Sequence, residues 1–171
     1  MLPSNHDWSF VCVLSSINVL HYDNWKDTDA VETMIYFLDA VITEFLEKLE
    51  VYRDSDNRDD QQTFLFMERA YNFSKENRAL GMGVLGWHSL LQSKMLPFDS
   101  QGAYDLNSEV FKNIKEHSNK ASKHLAEKFG EPELLKGYGR RNTTLNAVAP
   151  TTSSAFILGC LLYTSPSPRD C

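Results

Sequence analysis

The chain has 171 residues, 42% apolar and 23% charged, with 17 Lys and Arg against 23 Asp and Glu and a formal charge of −6. This length fits one domain or a piece of a larger one, and the apolar fraction excludes a disordered, collagen-like or coiled-coil chain. The negative balance argues against a nucleic-acid polymer as partner, because phosphate neutralisation needs a surplus of Lys and Arg.

No apolar run nears the roughly 20 residues of a membrane span, and no basic-then-apolar leader opens the chain. A soluble cytoplasmic protein is expected. In chain order, Trp8–Ser15 (WSFVCVLS) is rich in aromatic and β-branched residues and predicts a strand with Cys12 in its middle. From Val31, the positions Met34, Ile35, Leu38, Val41, Ile42, Phe45, Leu46 and Leu49 recur at helical spacing. Asp29 and Glu32 offer a capping pair at that helix start. Its end runs into the polar stretch Arg53–Asp60, after which Thr63–Asn77 predicts a second helix.

Gly81, Gly83 and Gly86 then interleave with Leu80, Met82, Val84 and Leu85, as in a buried strand that passes close to another backbone. The run has the form Gly-x-Gly-x-x-Gly, but it lacks the setting of a dinucleotide fingerprint and reads as backbone packing. Trp87–Lys94 predicts a short helix, and Asn107–Phe129 a long one with Gly130 as its C-cap. Thr144–Ala149 is strand-like, Pro150 stops it, and Thr151-Thr-Ser-Ser154 opens a last helix. Strand, helices, strand, helices, strand, helix is an α/β order, with too few strands to close a barrel.

Candidate chemistry concentrates at two places. Thr151, Thr152, Ser153 and Ser154 put four hydroxyls at a helix start, where unpaired N–H groups and the positive end of the dipole favour a phosphate; a plain cap needs only one. Cys12, by residue type alone, reads as a small buried hydrophobe. The five histidines show no metal-ligand spacing, and no metal site is expected. Arg140-Arg141-Asn142 reads either as a surface pair or as a support for the hydroxyl loop.

The tail Cys160–Cys171 (CLLYTSPSPRDC) resembles a translated sequencing-library adapter, so residues 1–159 are taken as the native part and 160–171 as a foreign extension. Setting the tail aside leaves Cys12 as the one native cysteine, in keeping with a reducing compartment.

Three blocks, Trp8–Asn18, Asn77–His88 and Arg140–Ala155, together resemble consecutive segments of the class I ribonucleotide reductase large subunit, in its order and spacing. The resemblance implies an incomplete piece of a ten-stranded α/β barrel, from an enzyme that reduces ribonucleoside diphosphates to deoxyribonucleotides for DNA synthesis. It places Cys12 at one of the two thiols that reduce substrate and become a disulfide, with the other thiol upstream. It places Thr151, Thr152, Ser153 and Ser154 at the substrate phosphates.

The family's Asn-x-Cys-x-Glu motif, which carries the radical cysteine, would lie just before Met1, so Met1 is expected to be internal to a longer frame and the fragment alone inactive. The implied partners are the ribonucleoside diphosphate, a metal-containing small subunit that supplies the radical, thioredoxin or glutaredoxin, and a second large subunit. No cofactor is expected on this chain itself. The alternatives are a cobalamin-dependent ribonucleotide reductase and a non-redox phosphate-binding α/β domain.

Overall fold

A computed structural model describes residues 5–160. Two parallel strands, β1 (Val13–Asn18) and β2 (Leu80–Leu85), pair in the register Val13↔Leu80 through Asn18↔Leu85. Between them run a short helix α1 (Tyr22–Trp25) and two long ones, α2 (Ala30–Arg53) and α3 (Arg58–Asn77). After β2 come α4 (Trp87–Ser93), the 29-residue α5 (Gln101–Phe129) and α6 (Thr152–Ile157). This is a mixed helix–sheet piece consistent with part of an α/β barrel.

Helix α2 buries Val31, Ile35, Leu38, Ile42, Leu46 and Leu49 along one stripe. The stripe packs against α3, α5 and one face of the sheet, which contributes Leu80 and Met82. Burying a Leu or Ile side chain stabilises by about 1.5–3 kcal/mol, so this stripe is the main adhesive of the fold.

Several expected boundaries move. The first strand begins at Val13, so Cys12 precedes it by one residue instead of lying in its middle. Residues 8–12 are held to α3 by other means: Ser9 N–H donates to the Arg69 carbonyl, and the rings of Trp8 and Phe10 meet Phe73 edge-on. Helix α3 starts at Arg58, not Thr63, because the Asn57 side chain accepts the Asp59 N–H at 2.9 Å and Asp59 and Asp60 suit the positive helix end. Helix α5 likewise starts before Asn107, where Ser100 accepts the Ala103 N–H.

The expected capping by Asp29 is absent. Its backbone is not extended and its side chain makes no cap bond; Thr28 Oγ1 accepts the Ala30 N–H instead. Glu32 does not reach back, since it is buried against His117 Nδ1 (2.8 Å) and Lys120 Nζ (3.1 Å) of α5.

The stretch Thr144–Ala149 is not a full strand. It makes one parallel bridge, Asn146 opposite Met82, with Leu80 and Met82 N–H donating to the Thr144 and Leu145 carbonyls and Ala147 N–H to the Met82 carbonyl. The spatial order is therefore β1, β2, then the 144–147 segment. Residues 161–171, the body of the adapter-like tail, lie outside the described residues.

Candidate active-site face

The parallel register divides the sheet into two unlike faces. Val13, Ile17, Leu80, Met82 and Val84 belong to the core beneath the helices. Leu14 opposes Gly81 and Ser16 opposes Gly83 on the other face, where Leu14 is half exposed. Cys12 belongs to this second face, for its sulfur lies 2.9 Å from where a Gly81 Cβ would stand. Ala147 Cβ is 3.1 Å from the same point. The thiol and the segment leading to Thr151 therefore meet over one glycine.

Half-burial pushes the Cys12 thiol above its ordinary range, because a thiolate would lose hydration there. Among the described residues its one close polar contact is with the Val13 carbonyl at 3.9 Å. At neutral pH burial thus favours the protonated thiol.

Further along the same face, Gly83 lies under Ala147 O and Ala149 N, and α6 rests its Ala155 on Leu85 together with Cys160. Gly86 takes a left-handed backbone (φ 79°) at the start of α4, with Asn18 Oδ1 and Cys160 Sγ close to it. Thr152, Ser153 and Ser154 are exposed and Thr151 is half-buried. Thr151 occupies the N-cap position without a side-chain cap bond. Among the described residues none of the four hydroxyls is tied down by a side-chain hydrogen bond, and Ala155 N–H donates to the Thr151 carbonyl.

Sequence reasoning missed the network that holds this segment in place. Asp39, on the buried stripe of α2, accepts Arg78 Nε and Asn142 Nδ2 on Oδ1, and Arg78 Nη2 and Arg141 Nε on Oδ2, at 2.8–3.1 Å. Burial pushes the Asp39 carboxyl up, but Arg78, Asn142 and Arg141 outweigh it and hold it below the usual carboxylate range. Asn142 is fully buried and also bonds Ser122 of α5. Arg141 reaches the Phe129 and Gly130 carbonyls at the end of α5, while Arg140 bonds the Asn142 and Thr143 carbonyls. The Arg140–Asn142 run is thus a support for the approach to the hydroxyl loop, not a surface pair. The available signal was a carboxylate in an apolar helical stripe, which demands a buried cation.

A family model described as "Ribonucleotide reductase, barrel domain" matches residues 1–134. The chain belongs to the ribonucleotide reductase barrel-domain family. It is 54% identical to the Actinobacillus ureae class Id ribonucleotide reductase alpha subunit in a solved structure, with a TM-score of 0.82 over 93% of this chain and 28% of that one. It is 38% identical, over 97% of its length and 27% of the relative's, to a provisionally named ribonucleoside-diphosphate reductase large subunit of Frog virus 3 (isolate Goorha). A vitamin B12-dependent ribonucleoside-diphosphate reductase of Thermoplasma acidophilum shares 30% identity over 55% of this chain and 13% of that protein. The chain spans less than a third of the length of each of these ribonucleotide reductase relatives.

Among the described residues no group of three or more His, Cys, Asp and Glu is placed to hold a metal ion, and no helix is long and apolar enough to cross a membrane.

Proposed function

We propose that this chain forms one wall of the active site of a ribonucleoside-diphosphate reductase large subunit, with Cys12 as one of the two reducing thiols and Thr151, Thr152, Ser153 and Ser154 as the seat of the substrate diphosphate. The observation that carries the reading is the shared glycine face: the Cys12 sulfur and the segment entering the hydroxyl row lie over Gly81. From Gly81 to the Leu85–Ala155 contact the strand advances roughly 13 Å at about 3.3 Å per residue.

In this reading the ribose lies over the thiol and the phosphates over the hydroxyls. Cys12 and a second thiol become a disulfide, giving up two electrons and two protons. The ribose 2′ hydroxyl leaves as water and a hydrogen takes its place on the carbon, so the step balances. A metal-containing small subunit supplies the radical that starts the reaction, and thioredoxin or glutaredoxin restores the thiols in the cytoplasm. A second copy of the large subunit completes the assembly. This chain's own task is positioning, with the half-buried setting favouring the protonated thiol.

Greater identity and coverage favour this class over the cobalamin-dependent one. The test is Cys12→Ser in a complete large subunit that carries residues 5–159 of this chain, assembled with its small subunit. Deoxynucleotide formation is expected to vanish while ribonucleoside diphosphate still binds; retained multiple turnover would overturn the role of Cys12.

A further inference from the structure

We propose that Gly81 and Gly83 are separate positioning residues of this site, Gly81 setting the depth of the Cys12 sulfur and Gly83 the height of the segment that delivers the hydroxyl row. The proposal rests on the reductase reading and assigns it two residues that touch no substrate.

The argument is steric. A Cβ on Gly81 would stand 2.4 Å from Leu14 Cδ2, 2.9 Å from Cys12 Sγ and 3.1 Å from Ala147 Cβ. Two of them are flexible side-chain ends of the first-strand region; the third, Ala147 Cβ, is fixed to its own backbone, so Gly81 also touches the 147–149 segment, though less tightly than Gly83 does. A Cβ on Gly83 would stand 2.8 Å from the Ala147 carbonyl oxygen and 3.4 Å from Ala149 N, with Ser16 Oγ at 3.1 Å. Its tightest contact is therefore backbone of the segment running into Pro150 and Thr151, which cannot swing aside as a side chain can. Neither glycine has a positive φ, so neither is required by backbone conformation. What each supplies is missing volume. At Gly81 that volume lets the sulfur sit close against the sheet; at Gly83 it lets the 147–149 backbone do so.

The consequence is a division of effect between two neighbouring glycines of one strand. Gly81→Ala lifts the sulfur off the sheet and misplaces it relative to the sugar, while Gly83→Ala lifts the approach to the phosphates. A misplacement of about 1 Å can cost on the order of 100-fold in rate.

The experiment has two arms. In the 171-residue chain, alkylation of Cys12 by iodoacetamide is followed by peptide mass spectrometry, with Cys160 as an internal reference. Gly81→Ala is expected to raise the Cys12 rate roughly 10-fold by exposing the sulfur, and Gly83→Ala to leave it at the wild-type value. In the complete large subunit carrying residues 5–159, Gly81→Ala is expected to lower kcat roughly 100-fold with a smaller rise in KM than Gly83→Ala produces. Gly83→Ala is expected to raise KM with kcat largely retained.

Where Gly81→Ala alone impairs folding, Leu14→Ala is added. It removes the closest clash and leaves the push on the sulfur. Equal responses of Cys12 to the two glycine variants, or a Cys12 rate unmoved by Gly81→Ala, would overturn the proposal. Full turnover by Cys12→Ser overturns the reducing role of Cys12 instead, and the alkylation arm still reads Gly81 in that event.

Discussion

The two faces of the small sheet are built on opposite rules. Beneath it, helices α2, α3 and α5 close over apolar side chains, and the buried charges Asp39 and Arg78 are paired with each other. Above it, β2 omits two side chains at Gly81 and Gly83 and Leu14 stays half exposed, a thiol has one weak contact, and no side-chain bond is found for the row of hydroxyls among the described residues. Stability resides on the first face, and the proposed chemistry on the second. A fold arranged in this way can keep its working surface unsatisfied, since little of its cohesion comes from there.

Three measurements bear on that division, in falling order of size. Asp39→Ala leaves the buried Arg78 without its counter-charge and strands Asn142. It is expected to cost about 3–5 kcal/mol in chemical denaturation. A loss below 1 kcal/mol would mean that the helix side does not carry the fold.

The second concerns acid. Because the folded Asp39 carboxyl titrates below its ordinary value of about 3.9, its contribution is complete above that value and disappears as pH falls through the folded one. Glu32 shifts the same way: burial pushes it up, but its own backbone N–H, His117 and Lys120 outweigh this. The difference in Tm between the parent chain and Asp39→Ala should therefore narrow as pH drops below about 4. A constant difference would show that the network is not ionic in its effect.

The smallest effect is the sharpest contrast. Thr152→Ala and Ser153→Ala, exposed and without cap bonds, should each change stability by less than about 0.5 kcal/mol. A cost near 1 kcal/mol would assign them an ordinary capping role and weaken their claim to a ligand.

How much of this was legible depends on which forces write themselves into short stretches of chain. The apolar stripe of α2 and the alternating glycines of β2 announce themselves by spacing alone, and both elements lie where that spacing puts them. Helix starts at Arg58 and Gln101 were hidden because their first turns are polar and solvated, so only the caps Asn57 and Ser100 mark them. The strand near Cys12 was placed too early because Trp8 and Phe10 have strand-forming side chains that serve instead to pack on Phe73. Thr144–Ala149 has strand composition but finds a single bridge, since pairing needs a partner and not only a propensity.

The site divides likewise. Cys12 and the hydroxyl row were nameable from residue type and resemblance, and their common face needed the register of β1 against β2. The Asp39 network joins residues 39, 78 and 142, which no local pattern connects.

Arg78 has one more consequence. It closes α3 in a left-handed backbone conformation, φ 44°, a place where glycine is the easy choice and a side chain costs about 1–2 kcal/mol. Glycine there would relieve the main chain and at the same time remove the guanidinium that Asp39 grips. The position thus sets two economies against each other, and the cation prevails: a local discomfort at one helix terminus is retained because it fastens three remote stretches of polypeptide at a single knot.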